Sequence, residues 1–237
     1  MTHVSDGLRI GDAYYGRAVG SDPAGREDRG VPSMTETSIL VPIELGAPAA
    51  ADPDGICVNQ STTGAASLTI TGALASNGVA TFDVPRTVSM TSTANESGVT
   101  FTITGTDKYG AALVADLAGP NNTTVNTPQA FKTVTAVAVD GNLTSTQVDV
   151  GSSSILGLPY HLLNAGKILG ITEDGLTATG TIVAGYGVTE VATATTADVR
   201  GTYTPESTLN GSVYVSLLMV ADGSSKASAY GTDQYGG

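Results

Sequence analysis

His161, in the run LPYHLL, and His3, near the start, are the two histidines in these 237 residues. A Ser–His–Asp relay needs an imidazole beside a hydroxyl, so it would have to use His161. The flanking residues Leu158, Pro159, Leu162 and Leu163 are apolar and predict a packed histidine instead. The run GSSSILG at 151–157 is rich in hydroxyls but has no base nearby in sequence. G-x-S-x-G, a Walker-type phosphate loop and H-E-x-x-H do not occur. Carboxylates that can serve glycoside hydrolysis are Asp52 with Asp54, Glu173 with Asp174, and Asp107. DPDG and EDG are turn sequences first, and the Trp platforms common in sugar clefts are missing, since the chain has no Trp. Asp52, Asp54 and Asp140 offer oxygens to calcium, but without D-x-D-x-D-G spacing. The single cysteine, Cys57, rules out an intrachain disulfide framework and a multi-cysteine metal site, and is expected to be a small buried hydrophobe. We therefore expect no catalytic, cofactor or metal site and read the chain as a non-enzyme.

Tyrosine is the enriched residue type with functional character: there are nine. Its apolar body and polar tip suit interfaces. Several fall in arms and turns, and Tyr14, Tyr15, Tyr109, Tyr203 and Tyr235, with Arg17, are the interface candidates. The hexamer GTDKYG at 105–110 returns as GTDQYG at 231–236. Each copy follows a strand-like run, so the motif predicts a strand-end turn: Asp caps its own backbone, Gly takes positive φ, and Tyr plugs the end.

The elements that position these residues read as strands. Thr, Val, Gly, Ala and Ser dominate, and β-branched residues sit well on a pleated sheet. VTFTIT at 99–104 has period two, with Val99, Phe101 and Ile103 facing in. SLTITGA (67–73), VATFDVP (79–85), RTVSMTS (86–92), AALVADLA (111–118), AFKTVTAVAV (130–139) and TQVDVG (146–151) complete seven strand candidates separated by short turns. That density predicts an all-β chain with a β-sandwich or small barrel over 56–151. A second β-rich lobe is expected over 152–237, with some helical flavour at 154–171 and strands near 177–195, 199–205 and 212–221. Residues 1–55 differ: Pro23, Pro32, Pro42, Pro48 and Pro53 resist helices and central strands. They predict an extended N-terminal arm, in which four of the ten Lys/Arg residues lie at Arg9, Arg17, Arg26 and Arg29.

The net charge of −12 repels phosphate, so neither nucleic acid nor an anionic membrane is an expected partner. No basic segment followed by an apolar run opens the chain, and no stretch is long and apolar enough to span a bilayer. This predicts a protein made and kept soluble in the cytoplasm. The core is rich in Ala and Val, with three Phe, so subunit association is an expected source of extra stability.

GALASNGVATFDVPRTVSMTS, SGVTFTITGTDKYG, AFKTVTAV and VDVGSSS, with RGTYTPEST and YGTDQYGG nearer the end, resemble runs in small virion proteins of tailed bacteriophages. The resemblance covers roughly residues 55–151 and, more loosely, 199–237, and it brings no catalytic signature. It implies a capsid decoration (cement) protein on the capsid exterior, made in the bacterial host, with the major capsid protein and its own copies in a homotrimer as partners. Tail, tail-tube and head–tail connector proteins are the alternative, followed by a carbohydrate-binding surface protein.

Overall fold

Threonine and valine alternate along much of the chain, and residues branched at Cβ pack better on a pleat than against a helical turn. The computed structural model follows that preference. It describes residues 8–10, 13–15, 39–144, 147–162, 164–185 and 197–221. Among them the only helical element is one 3-10 turn, Ala165–Lys167, started by Asn164, whose Oδ1 accepts a hydrogen bond from the Gly166 N–H. All other regular structure is strand, as the composition predicts.

Within residues 1–38, β1 (Leu8–Ile10) and β2 (Ala13–Tyr15) form an antiparallel hairpin that sets Leu8 opposite Tyr15 and Arg9 opposite Tyr14. Among the described residues from 39 onward there are two further antiparallel sheets. The larger contains β7 (Val79–Ser92), β8 (Thr100–Thr106), β9 (Ala112–Ala118), β10 (Thr124–Val139), β11 (Val148–Gly157), β14 (Thr181–Ala184) and β15 (Gly201–Thr204). Its order is β14-β15-β11-β7-β10-β8-β9, and three short strands pair beside that path: β4 (Cys57–Gln60) on β11, β5 (Ala66–Leu68) on β10 and β6 (Ala75–Ser76) on β7. The smaller sheet joins β3 (Ile39–Gly46), β12 (Ile168–Glu173), β13 (Leu176–Thr177) and β16 (Val215–Ala221) in the order β13-β12-β16-β3.

The larger sheet curls into a half-barrel. The bend is visible in its register. Phe131 pairs with Arg86 but Thr133 pairs with Thr81, so residues 82–85 bulge out of β7. Opposite them, Leu156 pairs with Arg86 and Ser152 with Val88, so β11 bulges as well. Pro85 lies in the first bulge, where a missing N–H costs no ladder bond. The sequence suggests two strands here, broken at Pro85; the chain instead forms one bent 14-residue strand.

Two apolar clusters result. One lies within the curl and draws on residues from Ile56 to Val150, including Phe82, Met90, Phe101, Ile103 and Phe131. Cys57 belongs to it, and burial pushes its thiol up to about 12. The second joins the smaller sheet to the far ends of β11 and β15 through Leu156, Leu158, Tyr203, Leu217 and Ile43. β11 contributes Val148 and Val150 to the first cluster and Leu156 to the second; β7 likewise gives Val88 and Met90 to the first and Val84 to the second.

Three segments depart from the sequence expectations. Ile39–Gly46, placed in the arm because of Pro42 and its neighbours, is a strand of the smaller sheet. It is an edge strand, where proline is tolerated. The 151/152 boundary falls inside β11. The helical flavour of 154–171 gives way to the end of β11, one 3-10 turn and β12, because glycine and proline interrupt any helical run.

At Gly151 the loop through Asp52 and Pro53 crosses directly over β11. Asp52 donates its N–H to Ser152 Oγ at 3.0 Å and accepts from the Ser152 N–H at 2.7 Å. A Cβ at 151 would collide with backbone atoms of Asp52 and Pro53. Gly151→Ala is expected to destabilise the fold by about 1–3 kcal/mol, the usual cost of overpacking. Urea denaturation measures it, and a loss under about 0.5 kcal/mol would mean that the loop moves away freely.

Candidate interface surface

The GTDKYG turn joins β8 to β9. Gly110 has φ +85, a left-handed conformation that suits glycine. Asp107 Oδ1 accepts from the N–H groups of Tyr109 (2.8 Å) and Ala111 (3.0 Å), and Asp107 N–H donates to the Ala111 carbonyl (2.9 Å). The turn thus forms as its sequence predicts. What the sequence does not reveal is its anchor. Asp107 Oδ2 accepts from Arg200 Nη2 at 2.7 Å, and both side chains are buried. The Arg200 guanidinium lies 4.7 Å from the centre of the Tyr109 ring, and Tyr109 Oη donates to the Pro159 carbonyl at 2.6 Å. Asp198 holds the arginine's backbone, its Oδ1 accepting from the N–H groups of Arg200 (2.7 Å) and Gly201 (3.2 Å), while Oδ2 accepts from Ala130 N–H (2.8 Å). One short turn is therefore tied to β10, to the start of β15 and to the loop after β11.

Tyr109 remains 45% exposed, so part of its ring faces outward. Beside it, Lys108 has a pKa below the ordinary lysine value, first because it is partly buried and then because Arg200 and Lys132 repel its charge. Tyr109→Phe is expected to cost about 1 kcal/mol through loss of the bond to Pro159. Tyr109→Ala also removes the ring over Arg200 and should cost roughly 2 kcal/mol in the same denaturation assay. Equal effects from the two variants would show that the ring face contributes nothing.

The other tyrosine candidates divide. Tyr203 is fully buried, and its hydroxyl donates to Glu173 Oε1 at 2.6 Å. It is an internal strut of β15 and has no surface to offer, a correction to its place among the interface candidates. Tyr14 and Tyr15 lie in β2, next to each other along the strand. Arg17, Tyr235 and the second hexamer at 231–236 lie outside the described residues.

The residues singled out for chemistry lie in turns and in the core. His161 is buried, with its ring against Gly185. Glu173 is buried and accepts from Tyr203 Oη, Glu206 N–H (3.0 Å) and Ser207 N–H (2.8 Å). Burial works to raise its pKa, but these bonds outweigh that and hold it below the usual glutamate value. Asp174 and Gly175, with φ +52 and +75, form the two-residue turn between β12 and β13. Asp52 and Asp54 share one turn, and burial followed by the neighbouring Asp54 raises the Asp52 pKa. Asp140 Oδ1 caps the Thr100 N–H at 2.7 Å. Among the described residues no group of three or more His, Cys, Asp or Glu is placed to hold a metal ion.

No family model matches the chain, and neither a curated protein nor a solved structure matches it.

The most conspicuous surface is one that the sequence reading passed over. Along β16, Val215, Leu217 and Met219 face the core, so Ser216, Leu218 and Val220 face out; along β3, Ile43 and Leu45 face in, so Leu40, Pro42 and Glu44 face out. The register pairs Leu218 with Pro42 and Val220 with Leu40 on the outer face, and Gly170 of β12 with Leu218 on the other side. Leu40 is 56% and Leu218 36% exposed, and Leu169, bulged out of β12, is 59% exposed. The signal was present in sequence: ILVPI at 39–43 and LLMV at 217–220 are unbroken apolar runs, the pattern of strands covered on both faces.

Proposed function

We propose that this chain is a structural component of a tailed-bacteriophage particle: a decoration protein that binds the outside of the capsid, bridges major capsid protein subunits, and assembles with its own copies as a homotrimer. The observation that carries the reading is the apolar outer face of the smaller sheet. It leaves two strands patterned for burial with one side exposed, which is how an assembly surface looks before its partner arrives. The buried charges support it, because Asp107, Arg200, Asp198 and Glu173 are engaged in fastening loops to strands. Arg86 does the same: its Nη2 donates to the Ala49 carbonyl at 2.8 Å while the guanidinium pairs with Asp83. The runs at 72–110 and 130–154 that resemble phage virion proteins add the virion context. Many modest contacts repeated by capsid symmetry raise the barrier to shell rupture.

The test is addition of purified protein to bare phage capsids, followed by heat and osmotic shock. Decoration predicts saturable binding at hundreds of copies per particle and a higher rupture temperature. Binding at about a dozen copies or fewer would instead indicate a connector or tail component. Shells that bind the protein yet rupture as readily as bare ones would sink the stabilising role.

A further inference from the structure

Asp52–Pro53 is one of two Asp–Pro bonds in the chain; the other is Asp22–Pro23. Such a bond is open to attack from within. The aspartate carboxylate can close a five-membered ring on its own carbonyl carbon, and the proline nitrogen, part of a tertiary amide, leaves once it is protonated. The fold fastens the bond at 52–53 on three sides. Upstream, Ala49 donates its N–H to Asp83 Oδ2 (2.6 Å) and its carbonyl accepts from Arg86 Nη2 (2.8 Å). Downstream, Ile56 N–H donates to the Val150 carbonyl at 2.9 Å. Between them, the Asp52 carbonyl, which carries the bond to Pro53, accepts from two backbone N–H groups, Ser152 at 2.7 Å and Gly55 at 3.3 Å. Donors converging in this way on a carbonyl oxygen stabilise the charge of a tetrahedral intermediate. Glycine at two positions permits the arrangement: a Cβ at 151 would collide with the Asp52 carbonyl oxygen, and one at 55 would lie 2.8 Å from Asp52 Cγ. The Asp52 carboxyl group is therefore folded back over its own turn. It is half-buried there, while Pro53 and Asp54 are exposed to water.

The Asp54 carboxyl group is hydrogen-bonded to that of Asp52, so the pair shares a proton; burial first, and then this neighbour, lifts the Asp52 pKa above its ordinary value. β11 faces the turn with Ser152, and Leu74 packs on it with an apolar side chain, so among the described residues Asp54 is the titrating group that acts on Asp52. We infer that this turn is a self-cleavage site that cuts the chain between Asp52 and Pro53. An Asp52 carboxylate oxygen attacks the Asp52 carbonyl carbon, and the N–H groups of Ser152 and Gly55 hold the resulting oxyanion. Asp54 gives its proton to the Pro53 nitrogen as the C–N bond breaks, which leaves a cyclic anhydride at Asp52 and a free proline amine. Water opens the anhydride to two carboxyl groups and returns a proton to Asp54. The event happens once per chain and is independent of capsid binding. β3 keeps its register with β16 after the cut, so the two pieces stay together until they are unfolded.

The experiment is incubation of the full chain at about pH 5, where the pair holds a proton, and at about pH 8, where it holds none. Fragments are separated by denaturing electrophoresis and identified by mass spectrometry. A parallel incubation in guanidinium chloride gives the intrinsic rates of both Asp–Pro bonds. The rate at 52–53 divided by the rate at 22–23 is expected to be about tenfold higher in the folded protein than in denaturant. Asp54→Asn, at an exposed position, should slow the folded-state cut about tenfold, and Asp52→Asn should abolish it, with circular dichroism showing that each variant is folded. The cut should also be slower at the higher pH. The inference is overturned if the ratio is unchanged or lower in the folded protein, if Asp54→Asn cuts as fast as wild type, or if the two pH values give equal rates. The comparison of folded with denatured wild type decides the matter even if a variant fails to fold.

Discussion

Replacing Asp107 by asparagine will lower stability by about 3–5 kcal/mol, the cost typical of breaking a buried ion pair. Asparagine keeps an oxygen for the Tyr109 and Ala111 N–H groups, so the turn itself survives. What is lost is the charge that balances the buried Arg200 guanidinium at 2.7 Å. The effect should be strongly non-additive. In the double variant Asp107→Asn/Arg200→Met no unbalanced cation is left at this site, and more than half of the lost stability should return. Urea unfolding of wild type, both single variants and the double variant completes the cycle. Additive losses would mean that the pair contributes only through the turn and the backbone.

Glu173→Gln will lower stability by about 2 kcal/mol at pH 7, because one oxygen is replaced by an amide NH₂ that points its protons at donors. The carboxylate accepts from Tyr203 Oη and from two backbone N–H groups. Its folded-state pKa lies below the ordinary value of 4.5, so the unfolded chain takes up this proton first as pH falls. The stabilisation is therefore fully present above about pH 5 and fades as pH falls through the depressed folded value. Denaturation at pH 7, 5, 4 and 3 should show wild type and variant converging towards the acid end. A gap that stays constant with pH would mean that Glu173 is not ionised in the folded protein.

What the sequence discloses here is what is local. The alternation of Val99, Phe101 and Ile103 marks a half-buried strand, and all three side chains are buried. Asp107 and Gly110 announce a turn because the bonds that make it span four residues. Arg200, by contrast, lies 93 residues from Asp107, and Glu173 30 from Tyr203. Nothing in either local run signals those pairs, so Tyr203 reads as a surface residue when it is a strut. Pro42 and Pro85 mislead in the same way: proline excludes the interior of a regular sheet but is compatible with an edge and a bulge, and those are tertiary properties. The apolar run of β16 was legible as a strand, whereas that of β3 was assigned to the arm because of Pro42, and only the sheet order shows that the second face of both lies outside.

The long strands β7 and β11 each serve both apolar clusters. The halves therefore cannot melt one after the other: releasing either strand from one cluster strips the other of part of its wall. Calorimetry of the region from residue 39 onward in the full chain should trace one peak, with the calorimetric and van't Hoff enthalpies equal. Such coupling means that the region from residue 39 onward yields to heat or force as one body rather than piece by piece.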